Sequence, residues 1–368
     1  MTGPTVVHLT SVHAPLDTRI LYRECRTLAE AGYRVVLVAP ADRDADVAGV
    51  HVRAVRVNGG RARRMTNTVW RVCRAALEER ATIYHLHDPE LLQGVPFLRR
   101  NGARVVYDVH EDLPRQVRSK YWIAPWARSA VSSAAGLGEA LLGRGAHAIV
   151  AATPQIAARF PPDRTVILQN FPREEELLAP AASPLADRGR LLAYIGGIDI
   201  TRGALEMVRA MAMVPGARLL LAGRMDLPGL ERQLAALPGW DRVDFLGWLD
   251  REGVRTLLGQ ARIGLVTLHP TPSYVESYPV KLFEYMAAGI PVVASDFPLW
   301  RGIIEEAGCG LLVDPERPEA IAEAANRLLN DPALAAAMGQ RGQAAVRERY
   351  NWGSQEGRLL GLYRRLSG

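Results

Sequence analysis

E-S-Y-P-V-K-L-F-E-Y-M-A-A-G-I-P-V-V-A-S-D, residues 276–296, spells out a turn, a helix and a buried strand in one run. Pro279 suits the first turn of a helix, where a backbone donor would have no partner, and Gly289 suits the helix end. The segment Pro291 to Ser295 then reads as a strand. A helix start leaves N–H groups unpaired and carries the positive end of the peptide dipoles, so a phosphate is favoured there. Glu276 before the helix and Glu284 within it can accept hydrogen bonds from sugar hydroxyls. Together these groups suit a nucleotide sugar, while a capped core helix with Glu284 on its wet face would use the same residues.

The alternation of strand and helix extends over the whole chain. V-V-H-L-T at 6–10, V-V-L-V-A at 35–39, H-V-R-A-V-R-V at 51–57, I-Y-H-L-H at 83–87, V-V-Y-D-V-H at 105–110, A-I-V-A-A at 148–152 and T-V-I-L-Q at 165–169 form a first series. L-L-A-Y-I at 191–195, R-L-L-L-A at 218–222, V-D-F-L-G at 243–247, I-G-L-V-T-L at 263–268, P-V-V-A-S at 291–295 and G-L-L-V-D at 310–314 form a second. Short apolar strands between helical patterns predict parallel sheets covered on both faces. The expected class is α/β, with two doubly wound, Rossmann-like domains. The first is expected over residues 1–172 and the second over 191–350. Residues 173–190, rich in Pro, Ala and charge, read as the linker, and 351–368 as a C-terminal helix.

A chain of 368 residues exceeds the usual size of a single core. Its 48% hydrophobic and 23% charged residues exclude a disordered chain. No apolar run reaches the roughly 20 residues needed to span a bilayer, and the N-terminus lacks a signal core, so a cytoplasmic location is expected. Cys25, Cys73 and Cys309 are isolated and read as reduced, structural thiols. The net charge of +6 favours anionic partners, and the absence of any nucleic-acid module argues against nucleic acid.

The run 276–296 resembles the donor site of retaining glycosyltransferases of the GT-B fold, family 4, which carries E-x-F-G-x-x-x-x-E before an alanine- and glycine-rich helix end. The resemblance implies two domains facing across a cleft and transfer of a sugar from a nucleoside diphosphate to an acceptor hydroxyl, with retention and without a metal or other cofactor. It implies that Glu276 contacts donor-sugar hydroxyls, that amides from Ser277 through Tyr278 and Val280 to Lys281 lie near sugar and diphosphate, and that Glu284 holds the ribose. Proline at 279 departs from the usual glycine and removes one N–H.

In Y-I-G-G-I-D-I-T-R-G, residues 194–203, the family usually shows G-R followed by K-G. Aligned on Gly196 and Gly203, the arginine becomes Gly197 and the lysine becomes Arg202, so one diphosphate cation is missing. Lys281 is the candidate replacement, because it lies in the first turn of the helix expected to face the same phosphates. After F-L-G, the resemblance places Trp248 and Leu249 near the base.

H-L-H-D-P-E-L-L at 85–92, Y-D-V-H-E-D-L-P at 107–114 and L-D-T-R-I-L-Y-R-E-C-R-T-L-A-E-A-G-Y near the start resemble a bacterial polysaccharide-associated branch of the family. By resemblance His110 lies beside the donor sugar, with Asp17, Arg19, His87, Asp88, Glu111 and Trp122 as acceptor-side candidates, Asp17 and Arg19 being equally suited to capping a helix. His85 and His87 share a strand face, yet no third ligand follows from spacing and no metal is expected. The basic and aromatic residues of 115–128 suit the inner face of a membrane or an internally packed loop. The acceptor is accordingly a glycan, a lipid-linked glycan or a small natural product. A donor-binding subunit with degenerate chemistry is the non-enzymatic alternative. A dinucleotide-dependent oxidoreductase is weaker, since neither first turn carries G-x-G-x-x-G.

Overall fold

The computed structural model describes residues 3–56, 67–100, 102–110, 112–118, 123–173 and 184–367. Two compact units divide the chain: Met1–Asn170 with Gln355–Gly368, and Phe171–Ser354. Most of the expected linker, and candidates Glu111 and Trp122, lie outside the described residues.

The first unit is built on strands β1 (Thr5–Leu9), β2 (Arg34–Pro40), β3 (Ala45–Val47), β4 (Val50–Val55), β5 (Ile83–Leu86), β6 (Arg104–Val109), β7 (Ala148–Ala151) and β8 (Thr165–Ile167). They lie in the order β3-β4-β2-β1-β5-β6-β7-β8. Every pair is parallel except β3 with β4, which corrects the expectation of a purely parallel sheet. β3 is a polar edge strand turned back by Ala48 and Gly49, both with positive φ, and its sequence A-D-V carries no apolar run to announce it.

Helix α1 (18–30) follows β1, and α2 (Val69–Glu78) buries Val69, Val72, Cys73 and Ala76, an i, i+3, i+4, i+7 stripe, against the sheet. Helix α3 is Pro125–Gly143. The chain's last helix, labelled α10 below, buries Leu359, Leu362 and Tyr363, and from Gln355 onward it belongs to this unit.

The second unit holds β9 (Leu191–Ile195), β10 (Arg218–Ala222), β11 (Val243–Gly247), β12 (Ile263–Val266), β13 (Val292–Ser295) and β14 (Gly310–Val313), all parallel. Its helices are α4 (Ala204–Met211), α5 (Arg251–Gln260), α6 (Val280–Ala287), α7 (Pro298–Ala307), α8 (Pro318–Asn330) and α9 (Pro332–Glu348); α10 (Gly353–Ser367) follows. The strand order β11-β10-β9-β12-β13-β14 reverses direction between β9 and β12. In open α/β sheets ligands bind at such a reversal, beyond the carboxyl ends of the strands.

The two strands part early at that point. β9 and β12 pair only at Leu192 with Ile263 and Ala193 with Gly264. Beyond this, the Tyr285 hydroxyl of α6 takes over, accepting from the Ile195 N–H at 3.0 Å and donating to the Ala193 carbonyl at 3.2 Å. Its ring lies against Gly264, where a Cβ would overlap the ring atoms. Tyr285 thereby fixes α6 to the end of β9. Replacing it with phenylalanine strips both groups of a buried partner, and a loss of about 1–3 kcal/mol is expected. Denaturant unfolding of Tyr285→Phe measures this, and an unchanged midpoint would refute the bridging role.

Candidate functional site

At the carboxyl end of β9 the chain runs through Gly196, with φ of 122°, and Gly197 into a short helical turn, Ile200–Arg202. Asp199 caps that turn, accepting from the Arg202 N–H at 3.0 Å. The Arg202 side chain folds back over the loop. Its Nη1 donates to the Gly197 carbonyl at 3.2 Å and its Nε to the Tyr274 hydroxyl at 3.2 Å, with Asp199 at 3.3 Å. A Cβ at position 197 would lie 2.5 Å from Arg202 Nη1. The space that a residue 197 side chain would occupy is therefore filled by Arg202.

Lys281 reaches the same loop from α6. Its Nζ lies 3.6 Å from the centroid of the Tyr194 ring and 3.2 Å from where a Gly196 Cβ would be. The ammonium is buried and makes no hydrogen bond. Burial, followed by the Arg202 guanidinium, holds it well below its ordinary pKa, while Glu284 pulls the other way. Two cations, one short of hydrogen-bond acceptors, thus converge on a glycine pair at the sheet's reversal point. An uncompensated buried ammonium is costly unless an anion joins it.

The neighbouring candidates divide. Glu276 ends the short turn Pro272–Val275, and Glu284 shares the Lys281 face of α6 at i+3. Pro279 is the residue before α6, so the amides of Val280 and Lys281 open the helix and have no carbonyl one turn upstream. The Ser277 N–H and hydroxyl both donate to the Tyr274 carbonyl, at 3.1 and 3.0 Å. The Tyr278 ring joins the aromatic cluster of Phe171 and Phe283. Trp248 is 63% exposed, with the Arg224 guanidinium over its ring, rather than packed at the strand end. Leu249 lines a groove with Leu220, Leu246 and Leu257.

In the first unit the motif residues gather beneath the ends of β1, β5 and β6. Asp17 caps α1, accepting from the Arg19 and Ile20 N–H groups at 2.9 Å. Burial alone would raise its carboxyl, but bonds from His13 and the Ile20 amide outweigh that and hold it at about 2. Arg19, His87 and Asp88, the acceptor-side candidates, are all buried and engaged in hydrogen bonds or ion pairs. Arg19 pairs with Asp108 through Nε and Nη2, at 2.9 and 2.8 Å, and donates to the Leu168 carbonyl. Asp88 accepts from the Thr10 hydroxyl and the Ser11 N–H.

His110 follows β6 directly and stays partly accessible, its Nε2 3.0 Å from His13 Nε2. His13 also approaches Asp88 at 3.4 Å and Asp17 at 3.6 Å. Behind this pair His8, His85 and His87 form a fully buried group with Tyr363. His8, His13, Glu24 and Tyr363 were absent from the sequence-based candidates. One sign was available, for His8 and His85 are direct partners in the β1–β5 register.

The chain matches two family models, glycosyl transferase 4-like domain over residues 18–170 and glycosyl transferases group 1 over residues 178–345. A phosphatidyl-myo-inositol mannosyltransferase of Mycobacterium leprae is 26% identical over 351 residues, covering 90% of this chain and 88% of that protein. An alpha-D-kanosaminyltransferase of Streptomyces kanamyceticus is 28% identical over 50% of this chain and 47% of its own. The chain spans about half the length of several curated relatives, including 50% of an uncharacterized glycosyltransferase of Methanocaldococcus jannaschii. Among solved structures, a sucrose-phosphate synthase of Thermosynechococcus elongatus superposes with a TM-score of 0.79 at 22% identity, covering 99% of both chains. Anabaena HepE in complex with UDP-glucose superposes at 0.75 with 15% identity, covering 99% of this chain and 100% of its own. The chain belongs to the family 4 glycosyltransferases of the GT-B fold.

Proposed function

We propose that this chain moves a sugar from a nucleoside diphosphate to an acceptor hydroxyl with retention of configuration, the second unit holding the donor and the first the acceptor. The buried Lys281 ammonium, unbonded and aimed at Gly196 beside Arg202, carries the reading. A diphosphate supplies the anion that these cations lack. As the bond between the anomeric carbon and the diphosphate oxygen breaks, its electron pair moves onto that oxygen, and fixed positive charge there stabilises the transition state more than the bound donor. The acceptor oxygen forms its bond on the face the diphosphate leaves, and its proton passes to a phosphate oxygen. The two side-chain cations fill the part that a divalent ion would otherwise play. Glu284 is assigned to ribose hydroxyls, Glu276 to the sugar, and Trp248 with Leu249 to the base. In the first unit, the His13–His110 pair is what an acceptor hydroxyl meets.

Helix α3 supports an acceptor at a lipid surface. Trp126, Val131, Leu137, Leu141 and Leu142 all stand exposed on it, Trp126 by 87%. Among the described residues no helix is long and apolar enough to cross a membrane, so the contact proposed is peripheral. Cosedimentation with vesicles of anionic phospholipid should fall several-fold on Leu137→Glu with Leu141→Glu; equal sedimentation of parent and variant would remove the lipid surface from the proposal.

Lys281→Ala tests the cation pair. Loss of one preorganised donor typically costs about 3 kcal/mol, or on the order of a hundredfold in turnover at saturating donor. Parental turnover in a folded Lys281→Ala protein would refute the role. Donor hydrolysis by the parent separates an enzyme from a degenerate donor-binding subunit, since the latter binds without turnover.

Calorimetry with UDP and GDP adds a pH signature. The Lys281 pKa is depressed in the free protein, so at alkaline pH a fraction is neutral. An arriving anion raises that pKa, and binding must take up protons. The apparent enthalpy should therefore vary with the ionisation enthalpy of the buffer, and affinity should decline as pH rises. Both effects should vanish in Lys281→Ala. In the same titration Glu284→Gln should weaken binding by about tenfold or more, from one charge-assisted bond of roughly 1.5–3 kcal/mol. Unchanged affinity would exclude the ribose assignment.

A further inference from the structure

The buried histidines of the first unit each point one nitrogen at an oxygen of Asp108 or Tyr363 and turn the other inward. His87 Nδ1 lies 3.1 Å from Asp108 Oδ2, whose carboxylate is already paired with Arg19 and can only accept. His85 Nδ1 and His8 Nε2 lie 2.7 and 3.0 Å from the same oxygen, the Tyr363 hydroxyl. The inner nitrogens are His8 Nδ1, His85 Nε2 and His87 Nε2. His8 Nδ1 and His87 Nε2 stand 2.8 Å apart, sharing a single proton. His85 Nε2 has no hydrogen bond and faces Glu24 Oε2 at 3.9 Å, an oxygen that also has none. Arg19 Nε pairs with the other oxygen of that carboxylate, Glu24 Oε1, at 3.0 Å.

Hydrogen bonding alone leaves this arrangement incomplete. His85 Nε2 and Glu24 Oε2 face each other in the core with no hydrogen bond to either, and orphaned buried polar atoms of this kind are costly. Asp108 and Glu24 also share one guanidinium, that of Arg19. Each of His8, Glu24, His85 and His87 can offer one ligand atom, and these atoms lie within 4.8 Å of one another. The outer contacts match what metal-bound histidines require, a second nitrogen held by a carboxylate or another oxygen.

We propose that the core of the first unit binds one zinc ion, or a similar borderline divalent transition metal, through His8, Glu24, His85 and His87. Three imidazoles and a carboxylate form a donor set of that class. The metal takes the place of the proton between His8 Nδ1 and His87 Nε2, and His8 then carries its proton on Nε2, towards the Tyr363 oxygen. The ion would tie β1, β5 and α1 together. Its ligands all belong to the first unit, so the site is distinct from the Lys281–Arg202 pair assigned to the diphosphate.

The test uses the full chain, stripped with a chelator and titrated with Zn²⁺ alone in a calorimeter, with thermal unfolding in parallel. About one zinc per chain is expected, with a rise in unfolding temperature that chelator reverses. Co²⁺ should give visible ligand-field absorption in the unmutated protein, which keeps the test independent of any variant's folding. His85→Gln should abolish binding, and Tyr363→Phe, which removes an outer partner, should weaken it by about 10–100-fold. No binding by the parent, no cobalt absorption, or equal affinity in parent and His85→Gln would each overturn the proposal.

Discussion

The second unit depends on how β9 and β12 are held apart. A parallel sheet whose order reverses must open at the reversal, and the opening exposes backbone groups that need partners. Here one phenol supplies them: the Tyr285 hydroxyl bridges Ile195 and Ala193 where the ladder ends. Because Tyr285 sits on α6, the same contact sets the helix against the glycine loop. Lys281, one turn earlier on that helix, therefore reaches Gly196. Gly264 permits this, since a methyl there would displace the ring.

The missing arginine at position 197 becomes intelligible at this level. Arg202 occupies the volume that a longer residue 197 would need, and Lys281 approaches from the opposite side of the loop. Two basic side chains therefore stand at the glycine pair with none at position 197. Burial holds the Lys281 amine well below its ordinary pKa, a property that an exposed arginine would lack.

Much of the fold could be read from the chain because buried parallel strands are written as apolar runs, and all strands but β3 fall on such runs. β3 escaped because an edge strand facing water needs no apolar pattern. On the donor side, the motif singled out Glu276, Lys281 and Glu284 as candidates, whereas the hydrogen bonding of Ser277 back to Tyr274 comes from the Pro272–Val275 turn, which has no signature of its own. The first-unit motifs were visible and their setting was not. Arg19, His87 and Asp88 look like ligand-facing polar residues, yet each satisfies another buried group. Recognition of His8 as the neighbour of His85 required the register of two strands 77 residues apart, and Glu24 and Tyr363 required the helices that cover them.

The first unit is also discontinuous. His8 and His85 direct nitrogens at a tyrosine that follows His85 by 278 residues, with the whole second unit encoded between them. On a ribosome adding about 5–20 residues per second, that interval lasts roughly 15–55 s. β6, β7 and β8 are made in its first part, and for the remainder the first unit has its strands but neither the Tyr363 oxygen nor the apolar face of α10. The first unit, begun first, therefore receives the helix that covers its core only after the second unit has been made.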